Sequence, residues 1–558
     1  MSEEDVRVGV FICHCGSNIG GVIDCKKLAD YAGSLTNVTH SEDNLYTCSE
    51  TGLSAIKSAI EEHNLNRVVV ASCTPRTHEP LFRECIAEGG LNPYLFNFVN
   101  IRDQCTWVHM KDTEGAYNKA KDLVRMGVAK AVKLHPLDMI NVEINSSALI
   151  IGGGVAGMSA ALNLSKQGFK TFLVEKEDKL GGRLNSLYKL FPYDIEASEF
   201  VNNLISRVLS SKNLEIFTSA EVSNIDGFVG NYEVEVKQGK NVHSLKVGAI
   251  IIAVGSSLLD PSGYYEYDGK KVITQYELEN VLKKNELDAN NIVMIQCVGC
   301  RNDERPYCSS VCCMTALKNA NAIRDQNPQA NITILYRDLY TPGIEYEIYY
   351  RKVREKGILF VKYDADKTPK IEKNQIRVYN EFIGDDMIIP YDLLVLSTPL
   401  VANSDNKELA QMLKVPTEAN NFFLEAHVKL RPSDFATDGV FIGGSAKWPV
   451  DIAESISQGY SAASRASTIL SHDTIEVEGA TSNLPEYNKD LCTGCEVCIK
   501  VCPFHAIQKN ENDEIEIIEA LCKGCGVCGA TCTNNAIVIR HFTDEQIFSE
   551  IIACGGGS

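Results

Sequence analysis

Residues 148–157 read ALIIGGGVAG, and no other stretch restricts the folding of this 558-residue chain as tightly. An apolar run meets Gly152, Gly154 and Gly157 in the pattern G-x-G-x-x-G and continues into MSAALNLSKQG, which suits a helix. A second apolar run, TFLVEK, ends at Glu175, 23 residues after the first glycine. Strand, glycine turn, helix, strand and terminal acid, in that order, specify a βαβ dinucleotide-binding unit. Gly152 makes the tight turn, Gly154 lets the backbone approach a pyrophosphate, and Gly157 lets the helix pack closely on the strand. The helix N-terminus then faces the phosphates, and Glu175 is placed to accept ribose hydroxyls.

Three later stretches bear on which dinucleotide is held. KEDKLGGRL follows Glu175, AIIIAVGSS spans 249–257 and DGVFIGG spans 438–444. They resemble the second signature, the strand-to-glycine return and the late flavin-contacting strand of glutathione-reductase-type and thioredoxin-reductase-type flavoproteins. The resemblance implies FAD rather than NAD. It adds Ala156, Lys176, Gly182, Arg183, Ala253, Gly255, Gly443 and Gly444 to the expected flavin contacts. The late stretch departs from the pattern, since those reductases usually carry Gly-Asp where this chain has Gly443-Gly444-Ser445.

In two-dinucleotide reductases a second nucleotide domain lies between the middle and late flavin stretches, which here means about 290–390. NIVMIQ reads as its first strand, NITILYRD (331–338) as its second, and Thr315 to Ile323 as its helix. The loop that should hold pyrophosphate with glycines keeps Gly299 and instead carries Cys297, Cys300, Cys308, Cys312 and Cys313. We expect the fold to persist, nicotinamide binding to be lost, and a cluster to be ligated by Cys297, Cys308, Cys312 and Cys313. Cys300 is the substitute ligand, and Cys308 and Cys312 stand at helical i, i+4 spacing. The alternatives are buried structural thiols or a Cys297-x-x-Cys300 dithiol.

Near the C-terminus, CTGCEVCIKVCP and CKGCGVCGATC repeat C-x2-C-x2-C-x3-C, the spacing of two-cluster ferredoxins. The fourth cysteine of each copy ligates the other cluster. One [4Fe–4S] cluster therefore takes Cys492, Cys495, Cys498 and Cys532, and the other takes Cys522, Cys525, Cys528 and Cys502. Thr533 replaces the proline that usually follows the motif. Zinc is the competing assignment, but zinc sites seldom repeat four cysteines at this spacing.

Residues 1–140 alternate strands (VGVFICH, RVVVAS, LFNFVN) with helices, an α/β layer. Cys13, Cys15, Cys48, Cys73 and Cys105 lie at or near carboxyl ends of strands, where open α/β sheets gather their sites. A further cluster is expected on Cys48, Cys73 and Cys105 with Cys13 or Cys15, the alternative being a core of free thiols. His14, His40 and His78 read as ordinary loop histidines. Twenty-one cysteines in so long a chain, with no signal-peptide pattern, point to metal or redox chemistry rather than a disulfide scaffold. A net charge of −19 argues against nucleic acid or an anionic membrane as partner. No apolar run reaches the ~18 residues of a membrane span, and a cytoplasmic location is expected. No Ser–His–Asp or paired-carboxylate site is apparent, and the terminal Gly555-Gly556-Gly557-Ser558 reads as a linker.

The loop CVGCRN…YCSSVCC, the flavin core, the double ferredoxin motif ending in HFTDEQIFSEI, and the N-terminal GVFICHCGSNIGGVID and DNLYTCSETG together resemble the A-subunit family of heterodisulfide reductase (HdrA) over essentially the whole chain. Some members carry an extra ferredoxin inserted in the flavin domain, whereas no cysteine lies here between Cys105 and Cys297. The resemblance implies an anaerobic oxidoreductase subunit of methanogenic type, with FAD and about four [4Fe–4S] clusters. It implies electron bifurcation, in which the pair held by FAD departs as single electrons toward ferredoxin and a heterodisulfide. Implied partners are the B and C subunits, a hydrogenase or formate dehydrogenase module, and a second copy of the chain. The rivals are a non-bifurcating flavin subunit feeding a membrane quinone complex and a cluster storage or delivery protein. The expected architecture is an α/β two-dinucleotide-binding, thioredoxin-reductase-like flavin core at 144–475. An N-terminal α/β iron–sulfur domain (1–143), an α+β two-cluster ferredoxin domain (483–541) and a tail (542–558) flank it.

Overall fold

The computed structural model describes residues 5–137, 141–476, 485–522 and 524–555. The chain divides into two compact units, one formed by Met1–Val142 with Glu476–Ser558 and the other by Glu143–Ile475.

The first unit begins with a four-stranded parallel sheet in the order Val38–Asn44, Val8–Cys13, Arg67–Ser72, Phe96–Asn100. The two central strands are buried along their whole length, as their continuous apolar runs require of a sheet covered on both faces. The helix Thr113–Val132 covers one face with Ala116, Ala120, Val124 and Val128, one helical turn apart, and Asp112 caps its N-terminus. The same unit holds two small hairpins, Pro485–Tyr487 with Ile537–Ile539 and Ile507–Lys509 with Ile515–Ile517. Each cysteine motif adds a five-residue helix, Val497–Val501 or Val527–Thr531. Ile507, Ile515 and Ile537 pack among the cysteines in a core too small to close without them. The last helix, Asp544–Cys554, opens on a Thr543–Gln546 capping box. It docks on Thr113–Val132 through Gln546 to the Lys133 carbonyl (3.0 Å) and Arg125 to the Ala553 carbonyl (2.6 Å).

The second unit contains two parallel five-stranded sheets. The first has the order Leu214–Phe217, Lys170–Val174, Ser147–Ile151, Ala249–Ile252, Val440–Ile442. The second has the order Val272–Thr274, Leu393–Leu396, Asn291–Ile295, Asn331–Tyr336, Leu359–Lys362. Val440–Ile442 returns to the first sheet after the second is complete, so the second nucleotide domain is an insertion in the first. Its sheet runs from Val272 to Leu396, wider than the stretch marked by the cysteine loop. Antiparallel three-stranded sheets, Ala220–Val247 and Lys370–Pro390, accompany the two parallel ones. No helix among the described residues is long and apolar enough to cross a membrane.

Candidate functional site

A cleft of about 830 Å³ opens at the carboxyl ends of the first parallel sheet. Gly152, Gly154, Ala156, Glu175, Lys176, Gly182, Arg183, Ala253 and Gly255 line it. Glu175 closes the strand Lys170–Val174; its carboxylate accepts the Gly153 N–H (2.7 Å) and the Glu177 N–H (2.9 Å), which fixes it beside the glycine turn. Gly154 begins the helix with an ordinary φ of −74°, and a Cβ built there meets no atom within 4 Å. Gly182 approaches it so closely that its own Cβ would lie 3.2 Å from the Gly154 Cα. The backbone is thus bared toward the cleft at the head of a helix, the cradle a pyrophosphate requires. Gly157 serves packing instead, since a Cβ there would stand 1.9 Å from the Gly152 carbonyl oxygen. Gly443 and Gly444 also stand behind the cleft. A Cβ at Gly444 would meet Ala156 at 2.8 Å, and one at Gly443 would meet Gln458 at 3.0 Å. Of the late stretch it is Ser445 that lines the cleft, a residue the sequence comparison of Gly-Asp with Gly-Gly did not single out. The cleft's shape and donors fit an extended dinucleotide.

Sequence reasoning also missed Lys318, which lines the same cleft. It is buried, its Nζ donating to Glu279 Oε1 (2.5 Å) and to the Lys189 carbonyl (2.9 Å). Burial pulls its pKa down from the ordinary lysine value while Glu279 opposes the change. Glu279 also accepts the Tyr188 N–H (2.7 Å), so the pair ties the helix after the cysteine loop to the flavin half.

The cysteine loop forms the neighbouring wall. Val311, Thr315 and Lys318, at the start of the helix Cys312–Gln326, face the flavin cleft. Cys312 and Cys313 open that helix, but Cys308 lies in the irregular segment before it, so the expected helical i, i+4 pairing of Cys308 with Cys312 does not occur. The chain bends instead: Ser310 adopts φ +60° and donates its N–H to Cys308 Sγ (3.3 Å). All five thiols still gather. Cys300 faces Cys297, Cys312 and Cys308, and Cys313 faces Cys297 and Cys308. A hydrogen bond from Cys300, with Arg301 4.0 Å from the sulfur, pulls the Cys297 thiol down, and the same bond pushes Cys300 up. Burial pushes Cys313 up to about 12. An all-sulfur donor set of this kind suits iron–sulfur chemistry. Gly299 is packed: its Cβ would meet Leu259 at 2.4 Å and Tyr264 at 3.1 Å.

In the first unit, Cys13, Cys15, Cys48 and Cys73 converge at the carboxyl edge of the sheet. Cys48 faces the other three, and Arg102 reaches Cys15 Sγ at 3.9 Å. Cys105, a ligand in the set expected from sequence, does not join them. It sits in a π-helical turn, Arg102–Thr106, that swings its thiol toward the helix Thr113–Val132. There it donates to the Ala116 carbonyl (3.1 Å) within the apolar core that also contains Cys25. His14 pairs with Asp43 (2.7 Å) and His40 stacks on His63.

Within the ferredoxin region, Cys492, Cys495, Cys498 and Cys532 line a small cavity, and Cys502, Cys522, Cys525 and Cys528 line another. The two motifs exchange their fourth cysteines. They also repeat their sulfur bonding: Gly494 N–H to Cys492 and Gly524 N–H to Cys522 (both 3.4 Å), Ala506 N–H to Cys502 (3.4 Å) and Ala536 N–H to Cys532 (3.2 Å). Among the described residues no three His, Cys, Asp or Glu side chains stand close enough for a single metal ion. A cubane spreads its thiolates over four corner irons, so cysteines serving one stand farther apart than those around one ion.

The pyridine nucleotide-disulphide oxidoreductase family matches residues 146–295 and stops where the cysteine loop begins; the 4Fe-4S binding domain matches residues 485–508. The second iron-sulfur A subunit of CoB–CoM heterodisulfide reductase from Methanopyrus kandleri is 37% identical, over 92% of this chain and 92% of that protein. The chain belongs to the A-subunit family of heterodisulfide reductase. It is therefore an oxidoreductase subunit that carries FAD and [4Fe–4S] clusters. The A subunit of H2:CoB-CoM heterodisulfide,ferredoxin reductase from Methanothermobacter thermautotrophicus is 37% identical over 99% of this chain and 97% of that one. The A subunit of H2/formate:CoB-CoM heterodisulfide,ferredoxin reductase from Methanococcus maripaludis is 34% identical over 98% of each. The alignment with the M. thermautotrophicus protein runs over 650 positions, more than this chain's 558 residues, so that relative has segments absent here. Among solved structures, thioredoxin reductase of Lactococcus lactis is 18% identical and covers 58% of this chain and 99% of its own, with a TM-score of 0.42.

Proposed function

We propose that this chain is the electron-distributing subunit of a heterodisulfide-reducing complex. It takes electrons from a hydrogenase or formate dehydrogenase module and delivers them singly, one toward ferredoxin and one toward a heterodisulfide held by B and C subunits. The observation that carries this reading is the shared wall between the flavin cleft and the cysteine loop. Val311, Thr315 and Lys318 line the cleft within six residues of Cys312 and Cys313. Bound FAD supplies the exchange between an electron pair and single electrons, and bound clusters conduct one electron at a time. The chain's own residues hold the two adjacent. Glu175 and the bared Gly154 backbone fix the dinucleotide end, and the thiols, standing where a second nucleotide would need its glycine loop, offer an exit. We assign Cys297, Cys308, Cys312 and Cys313, with Cys300 in reserve, to one cluster. Cys13, Cys15, Cys48 and Cys73 are assigned to a second, and the two ferredoxin sets to the remaining pair. The names of the M. thermautotrophicus and M. maripaludis relatives, with H2 or formate, heterodisulfide and ferredoxin, support the direction of flow.

The test is co-purification of the complex under anoxic conditions, followed by H2 or formate oxidation with each acceptor alone and with both. Turnover that needs ferredoxin and heterodisulfide together supports the reading. Heterodisulfide reduction at full rate without ferredoxin overturns its claim of bifurcation.

A further inference from the structure

In a βαβ nucleotide unit, residues just past the second strand read the ribose and its phosphate. In the second sheet that strand is Asn331–Tyr336, and Arg337 and Asp338 follow it. Both are turned onto the cysteine loop. The Asp338 carboxylate receives Arg301 Nη2 at 2.8 Å, and its carbonyl receives Cys313 Sγ at 3.8 Å. Arg337 Nη1 donates to the Arg301 carbonyl at 2.9 Å. Arg301 itself is held at φ +56°, a left-handed conformation that a residue with a side chain adopts where its surroundings impose it. The result is a guanidinium whose Nη1 stands 4.0 Å from Cys297 Sγ.

We propose that Arg301 is a positioning residue that raises the reduction potential of the loop's iron–sulfur site by holding a permanent cation against Cys297. This rests on the reading that the loop carries a cluster. An arginine suits the task because it keeps its charge at any working pH and its planar fork serves a carboxylate and a sulfur at once. Reduction adds one negative charge to a cluster, and a fixed cation close by favours that state. Asp338 offsets this incompletely, because its side chain is 65% exposed against 29% for Arg301 and water screens it more. The arrangement converts a nucleotide-reading position into a control on where single electrons settle beside the flavin.

The experiment is a redox titration followed by electron paramagnetic resonance on the full chain, reconstituted anoxically. Cys312→Ala combined with Cys300→Ala, which removes the substitute ligand too, identifies the signal and the iron belonging to the loop. Arg301→Gln is expected to retain all iron and to shift the loop's reduction equilibrium at least tenfold toward the oxidised form, about 59 mV for a one-electron couple. Arg301→Lys keeps most of the potential, and Arg351→Gln, on the exposed face of the helix Ile344–Glu355, changes nothing. Full iron with an unmoved midpoint in Arg301→Gln overturns the proposal while leaving the cluster reading intact. Unchanged iron in a variant combining Cys312→Ala with Cys300→Ala, which removes the reserve ligand as well, overturns the cluster reading and the proposal with it. Should Arg301→Gln lose the loop's iron, Arg301→His decides, since it places at the same position a cation that can be switched off by pH. A midpoint that falls more steeply than the parent's as pH rises through the imidazole range upholds the proposal, and a pH dependence equal to the parent's overturns it.

Discussion

Gly154 and Gly157 belong to one motif, yet the structure predicts opposite failures when each gains a side chain. At Gly154 the backbone is ordinary (φ −74°) and a Cβ meets nothing within 4 Å. Gly154 is the N-cap in an extended conformation, so Gly154→Val costs the fold only valine's weaker N-cap preference, about 1 kcal/mol or less. Its methyl groups project into the space between the helix N-terminus and the pyrophosphate, where backbone contact supplies the anion binding. A loss of about 4 kcal/mol there weakens flavin binding roughly a thousandfold. At Gly157 the added Cβ stands 1.9 Å from the Gly152 carbonyl oxygen, which is backbone and cannot rotate away. Gly157→Ala must push the helix Val155–Lys166 off its strand, an overpacking cost of about 1–3 kcal/mol or more. The assay is flavin retained per folded protein, with thermal unfolding of the flavin-free forms followed in parallel. Gly154→Val should be folded and colourless, with an apoprotein midpoint matching that of the parent stripped of flavin. Gly157→Ala should lower the apoprotein midpoint by several degrees. A Gly154→Val protein that keeps its flavin, or a Gly157→Ala apoprotein as stable as the parent, would refute this division of labour.

Removing one partner of the buried Lys318–Glu279 pair should cost about 3–5 kcal/mol, because the other is left charged and unpaired. Lys318→Met should thus unfold at a clearly lower temperature, and Lys318→Met combined with Glu279→Gln should recover most of the loss; equal stability of single variant and parent would contradict the pairing. Cys73→Ala should lower the iron of reconstituted protein by about four per chain, whereas Cys105→Ala should lose none, and the reverse outcome would restore the ligand set read from sequence. His541 packs against the His135 carbonyl (2.9 Å), and burial, with Arg83, Lys130 and His135 nearby, lowers its pKa from 6.5 to about 4. A base whose folded pKa is depressed contributes its full stability above pH 6.5 and loses it as pH falls toward 4, on the order of 2 kcal/mol once solvent screening is allowed for. Hydrogen exchange in the helix Asp544–Cys554 should accelerate over that window, and His541→Gln should flatten the response.

The features legible in the sequence are those where chemistry dictates spacing. Glycines facing a phosphate and four thiols closing on a cubane permit few arrangements, so the flavin βαβ unit and the twin motif could be read residue by residue. The placement of Cys105 apart from the other four thiols was illegible because its position at a strand's end says nothing of the π-helical turn that redirects it. The helical pairing of Cys308 with Cys312 was misread because i, i+4 spacing is ambiguous at a helix start, and the helix begins only at Cys312. Lys318 was illegible for a different reason. Its partner Glu279 lies 39 residues away, and a lysine within TALKNANAI carries no local sign that tertiary packing will bury it on all sides. The strand Val38–Asn44 escaped notice because its residues, VTHSEDN, are polar and only half-buried at the sheet's edge. Gly443 and Gly444 matched a flavin-contacting stretch, but their lack of side chains serves the approach of Ala156 and of the Gln458 backbone.

The central claim is that thiols have displaced a nicotinamide from the second nucleotide domain, so that electrons reach FAD through protein-borne clusters. The direct measurement is stopped-flow mixing of anoxic, flavin- and cluster-replete protein, without partner subunits, with NADH and separately with NADPH. The account predicts that the flavin absorbance stays unchanged with either, because five thiols occupy the loop where a nucleotide would need glycines. Bleaching of the flavin within seconds by either nucleotide would contradict it.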